Sequence, residues 1–200
     1  MDKQVIITVG REFGSGGTFI ANAIAEEFHI PVYDRNILAE ISKEKGTSLE
    51  GLEHYSEKPR SKFFTRTVRG ETSSIEKHIA NMQFDFLRSR AAEGNSFVVL
   101  GRCSEEILKD FNCLINIFIL ADPEFKKLRV MEKYELSEED ALAKMKRKDK
   151  YRKQYHNSYA SSKWGDSRTY DLCINSTRLG VEETAKEVIR YIYTRINAMK

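Results

Sequence analysis

A chain of 200 residues, 40% hydrophobic and 32% charged, can bury one core, which excludes the disordered and fibrous classes. Its net charge of +3 is too small to imply a nucleic-acid partner. Cys103, Cys113 and Cys173 are odd in number and widely spaced; they offer neither a disulfide framework nor a paired metal spacing, and read as small apolar residues of a reducing compartment.

The opening "MDKQVIITVG" has too short an apolar run for a signal peptide or a membrane helix, so a cytoplasmic protein with no membrane partner is expected. Within it, Gln4 to Val9 is a β-branched run of the kind buried in a parallel sheet. Phe19, Ile20, Ala23, Ile24 and Phe28 recur at helical spacing, which predicts a helix from about Gly17 to Phe28, closed at its C-terminus by His29. A short strand over Ile30 to Arg35 follows, then a helix through Ile37, Leu38 and Ile41 that stops near Gly46. Thr47 to Ser74 is polar, basic and irregular. Ile75, Ile79, Met82, Phe86 and Leu87 mark a long amphipathic helix ending before Gly94.

Ser96 to Gly101 and Cys113 to Leu120 are two further apolar strands. Asp122 is the expected cap of the next helix, with Pro123 in its first turn. Ser137 caps another, whose first turn is acidic. Tyr170 to Ser176 is the last strand, and Val181, Ala185, Val188, Ile189, Ile192 and Ile196 pattern the closing helix. Five short apolar strands alternating with helices predict an α/β fold: a five-stranded parallel sheet covered on both faces, in one domain over residues 1–200.

The segment "VGREFGSGGT" (Val9 to Thr18) lies between the first strand and the first helix. Glycines at 14, 16 and 17 let successive backbone N–H groups converge on an anion, and the helix N-terminus adds positive potential. In the pattern GxxxxGK[ST], Thr18 takes the Ser/Thr position and could reach Mg2+, while Arg11 replaces the first glycine and Gly17 replaces the lysine. Arg11, Gly14, Ser15, Gly16, Gly17 and Thr18 are therefore the candidate nucleotide-binding residues, with Thr18 the candidate metal ligand. The alternative is a glycine turn that binds nothing.

Three stretches together resemble the cytidylate kinase-like family of P-loop proteins: "ITVGREFGSGGTFIANAIAEEFHIPVYDRNIL", "FVVLGRCSEEIL" and "WGDSRTYDLCINSTRLGVEETA". The resemblance runs in order along nearly the whole chain and is weakest from Thr47 to Ser74. It implies a P-loop NTPase fold of the nucleoside monophosphate kinase type, with a helical acceptor-binding insertion over about 35–90 and a lid over about 137–168. It also implies Mg2+ with ATP, and a small phosphate acceptor as substrate. In the more distant true cytidylate kinases the loop reads GSGK[GS][ST], so Gly17 stands where a lysine supplies a cation, and another residue has to replace it.

By the same resemblance Asp34 and Arg35 fall at the acceptor site, where Asp34 could instead cap the following helix. Arg102 ends an apolar strand and matches an arginine that faces the acceptor phosphate, to which a guanidinium fork is suited. Lys126 and Arg129 match cationic positions of the family. The densest charge run, Lys144 to Lys153, resembles the arginine-rich lid, with Arg147, Asp149 and Arg152 the matching residues. It could also be a solvated helix face or a nucleic-acid stripe. The expected catalytic set is thus Arg102, Arg129, Arg147 and Arg152, with lid arginines and Arg11 replacing the absent lysine.

The activity implied is transfer of a γ-phosphoryl group to a nucleoside monophosphate, cytidylate by resemblance. Two alternatives stand beside it: a kinase for another small acceptor, and a non-catalytic nucleotide-binding regulator.

Overall fold

The computed structural model describes residues 3–34, 36–45 and 72–199. Five strands pair in the order β2-β3-β1-β4-β5, all parallel: β1 (Ile6–Arg11), β2 (Val32–Tyr33), β3 (Phe97–Leu100), β4 (Leu114–Leu120) and β5 (Leu172–Asn175). The five-stranded parallel sheet read from the sequence is thus the observed one. Neighbouring residues of β1 face opposite sides, and both sides are apolar, as a doubly covered parallel sheet requires.

On one side, Ile7, Val9, Ile115 and Ile117 meet helix α1 (Gly17–Phe28) and helix α7 (Val181–Ala198), whose Ile20, Ile24, Val188 and Ile192 are fully buried. On the other, Ile6, Phe97 and Val99 meet α2 (Ile37–Lys45) and α3 (Thr72–Ala92) through Ile37, Leu38, Ile79 and Leu87. A smaller cluster of Phe13, Val130, Ala141 and Met145 joins the glycine loop to α5 (Pro123–Tyr134) and α6 (Glu138–Tyr159). The consequence is that the loop after β1 is packed from beneath by the same helices whose outer faces carry the charge run.

Local signals set most boundaries. His29 closes α1 in a left-handed conformation (φ 52°), and Ser137 caps α6 by accepting from the Asp140 N–H. Asp122 holds the cap position of α5, but its carboxylate makes no capping bond; it accepts from Asn175 Nδ2 at 2.8 Å and meets Arg178 at 3.2 Å. The side chain serves the long-range tie to the end of β5 instead. Two boundaries differ from the sequence reading. β1 runs through Arg11, so this arginine ends a strand rather than opening a loop, and β2 is only two residues long. A four-residue helix after β3, α4 (Ser104–Ile107), was unforeseen because one turn has no periodicity to read. No helix among the described residues is long and apolar enough to cross a membrane.

Ile115 is fully buried and pairs with Ile7 at the sheet centre. Ile115→Ala should therefore lower unfolding free energy by about 2–5 kcal/mol; urea unfolding followed by circular dichroism checks it.

Candidate active site

The carboxyl ends of β1 and β3 open into two adjoining cavities, at the edge where open α/β sheets place ligands. The first, of about 330 Å3, surrounds the glycine loop. It is lined by Gly14, Gly16, Gly17 and Thr18, with Arg129 and Lys133 from α5. Gly14 (φ 90°) and Gly16 (φ 83°) both have left-handed backbones, so the loop curls toward the α1 N-terminus. Ser15 Oγ donates to the Glu12 carbonyl at 2.9 Å, and the Ser15 carbonyl accepts from Ser176 Oγ at 2.7 Å, which fixes the curl from both sides. Thr18 is exposed in the first turn of α1. A hard oxygen donor at that place fits Mg2+, which takes few protein ligands beside phosphate oxygens and water.

Arg11 and Gly17 are coupled by space. A Cβ added at Gly17 would stand 2.6 Å from Arg11 Cβ and 2.9 Å from Arg11 Cγ, so the arginine stem lies across the helix start where a lysine stem would begin. The guanidinium passes on over Gly101, where an added Cβ would collide with Nη1, and reaches 3.9 Å from Asp34 Oδ1. The two departures from the lysine-bearing pattern are therefore one exchange: Gly17 makes room for Arg11.

The second cavity, of about 80 Å3, has Arg11, Asp34, Arg102, Lys148 and Arg152 on its walls, with Tyr155, Trp164 and Tyr170. Arg102 is 8% exposed and sits in a turn where it (φ 62°) and Cys103 (φ 57°) are both left-handed. Two consecutive non-glycine residues in this region cost on the order of 1–3 kcal/mol each, so the surroundings must hold the turn in place. Burial pushes the Tyr155 and Tyr170 hydroxyls far above the ordinary tyrosine range; at Tyr155 the Arg102 charge partly opposes it. Trp164 packs edge-on against Phe118 at 5.5 Å.

The helix α6 divides its charges by face. Lys148, Tyr151, Arg152, Tyr155 and His156 follow helical spacing and line the second cavity. Arg147 does not join them: it is exposed and lines neither cavity, whereas Lys148, which the sequence reading did not single out, lines the second. Arg152 reaches both cavities. Its Nη1 donates to the Arg11 carbonyl at 3.2 Å, and its guanidinium lies 5.5 Å from the Phe13 ring centre.

Asp149 secures the same junction by accepting from the Phe13 N–H at 2.7 Å, with Arg152 at 3.6 Å. Burial raises its pKa above the usual carboxylate range, more than the Phe13 N–H and Arg152 lower it. Lys126 is buried and bonded to Glu12 Oε2 at 2.8 Å, so it braces the loop from below. Arg129 lines the first cavity with its guanidinium 5.6 Å from the Phe125 ring centre. Arg35 and residues 47–71 of the irregular segment lie outside the described residues.

Comparison with known proteins identifies the family and the fold. The model of the cytidylate kinase-like family matches residues 6–178. The chain is 30% identical over 181 residues to cytidylate kinase of Pyrococcus horikoshii, spanning 90% of this chain and 83% of that one. It is 27% identical over 197 residues to cytidylate kinase of Pyrococcus abyssi, spanning 96% and 97%. A crystal structure of an uncharacterized protein from Eubacterium ventriosum superposes with a TM-score of 0.75 at 41% identity, covering 94% of this chain and 98% of that one. Shikimate kinase from Acinetobacter baumannii in complex with shikimate shares the fold, with a TM-score of 0.52 at 15% identity over 97% and 95% of the two chains.

Removing the Asp149 carboxylate leaves the Phe13 N–H without its partner. Asp149→Ala should cost about 1–3 kcal/mol of stability and raise amide exchange at residues 11–17, measurable by hydrogen–deuterium exchange; unchanged exchange there would show that α6 does not hold the loop.

Proposed function

The chain belongs to the cytidylate kinase-like family, and on that premise we propose that it transfers the γ-phosphoryl group of Mg2+-ATP to a nucleoside monophosphate, cytidylate being the first candidate. One observation carries the reading: the two cavities share Arg11 and Arg152 as a common wall. A phosphoryl group moving from donor to acceptor would cross that wall, where its equatorial oxygens carry the developing charge. Two guanidinium groups at the crossing supply the electrostatic stabilisation that such a transfer needs and that the loop lysine would otherwise give.

In this reading the loop amides and the start of α1 hold the polyphosphate in the first cavity, with Arg129 and Lys133 alongside. Thr18 would hold Mg2+, which would supply positive charge to offset that of the polyphosphate. The acceptor's anionic end lies in the second cavity against Arg102 and Lys148, and Asp34 accepts from its hydroxyl or amino groups. The reading assigns the acceptor side to the insertion over about 35–90 and the lid to about 137–168, whose α6 face would exclude water.

Cations from Arg102, Lys148 and Arg152 in the second cavity suit any compact anion, which favours a second reading, a kinase for another small acceptor. Both readings make Arg152 act in the transition state. With Mg2+-ATP and a panel of monophosphates and small alcohols, an acceptor should accelerate ADP formation. Arg152→Ala should lower kcat about 10²–10³-fold and weaken ATP binding only a few-fold. Equal losses in both would reduce α6 to a binding surface, and ADP release that no acceptor accelerates would remove the phosphotransferase reading.

A further inference from the structure

In the wall of the second cavity lies a buried pair that the transfer reading does not use. His156 Nε2 stands 2.6 Å from Glu105 Oε1, with side-chain exposures of 4% and 6%. Its other ring nitrogen, Nδ1, faces Asn157 Oδ1 at 3.3 Å. That amide oxygen also accepts from the Trp164 N–H at 3.0 Å, which fixes the Asn157 orientation. Asn157 Oδ1 can only accept, so it takes a proton on Nδ1, while Nε2 and Glu105 Oε1 meet at ion-pair distance outside hydrogen-bond angles, a contact that a second ring proton makes attractive. Burial opposes the charged ring, but Glu105, Asn157 and Glu106 together outweigh it, and the His156 pKa lies above the ordinary value.

The pair joins two elements that carry opposite sides of the cavity. Glu105 is in the single turn of α4, directly after the left-handed Arg102 and Cys103. His156 lies one helical turn beyond Arg152 on the cavity face of α6. Ser104 Oγ holds the turn locally by donating to the Gly101 carbonyl at 2.7 Å, and the tie from Glu105 to α6 adds the long-range anchor that a four-residue helix lacks by itself.

The charged and titratable groups around the ring are Glu105 and Glu106 from α4, Arg102 and Cys103 from the turn before it, Arg152 and Tyr155 from α6, and Tyr170 ahead of β5. Among the described residues only Glu105 brings a charge onto a ring nitrogen. Cys103 stays a thiol, because burial first and then Glu105 and Glu106 push its pKa far up. Its Sγ leans on the His156 carbonyl at 4.0 Å.

We propose that Glu105 and His156 form a proton-dependent clasp that fixes Arg102 opposite the Lys148 and Arg152 face of α6. They are positioning residues. The clasp is closed below the ordinary histidine value and opens as pH rises through the raised one, when the neutral ring leaves the Glu105 carboxylate buried without a charged partner. Asn157 and Trp164 carry the change to the end of the lid. The consequence for transfer rests on the kinase reading; the clasp itself does not.

The test uses the full chain and its one tryptophan. The His156 ring resonance, assigned against His156→Gln, and Trp164 emission are followed together from pH 5 to 10. The ring should titrate above the ordinary value of about 6.5, and the emission should shift with the same midpoint. Glu105→Gln should move both midpoints down together, and His156→Gln should abolish the emission step. A ring that titrates at or below the ordinary value, or emission that stays flat while the ring titrates, overturns the clasp, and the wild-type curves decide this even where a variant fails to fold. With an active acceptor, kcat should fall with the same midpoint while ATP affinity holds. Failure of the clasp leaves transfer activity to be judged on its own, and a chain without turnover leaves both titrations readable.

Discussion

The arrangement depends on one close approach: the stem of Arg11 crossing the α-carbon of Gly17. A side chain at 17 would meet that stem at 2.6 Å, so the last residue of β1 and the first of α1 cannot both carry a long side chain. In the lysine-bearing pattern the strand position is glycine and the helix position is lysine. Here the order is reversed, and the cation enters from the strand. Arg11 also reaches farther than a lysine at 17 would, over Gly101 to Asp34, so its charge belongs to both cavities rather than to the loop alone.

From that crossing the remaining contacts follow. The Arg11 carbonyl accepts from Arg152, Phe13 is held by Asp149, and Glu12 is held by Lys126, so α5 and α6 grip the strand end at three consecutive residues. Helix α6 is thereby built against the loop, and its cavity face starts at Lys148 and runs to His156. In the proposed function these ties matter because transfer depends on positioning and charge more than on bond-forming groups of the protein. Guanidinium groups suit this work, since they stay charged when buried and bind phosphate in a fork.

The sheet was legible because five β-branched or apolar runs and their helices carry strong periodic signals, and local caps at His29 and Ser137 matched their residues. The family motifs likewise marked the glycine loop, Asp34 and Arg102, which the structure brings to adjoining cavities. What was not legible is long-range. Arg147 was selected from a motif within a run where seven of ten residues are basic, and only the helical period counted back from Arg152 distinguishes Lys148. The Glu105 and His156 pair joins residues far apart in sequence, through a helix too short to show a pattern. Asp122 satisfied a capping rule in position, yet its carboxylate went to Asn175 and Arg178, partners that the sheet alone brings near.

The most direct measurement is Mg2+-ATP affinity by calorimetry across the cycle of wild type, Arg11→Gly, Gly17→Lys and the double variant. If arginine and lysine compete for one volume, each single change weakens binding and the double change recovers much of the loss, a coupling of about 1–3 kcal/mol. Losses that simply add would contradict the exchange and leave the Arg11 crossing without a role in holding phosphate.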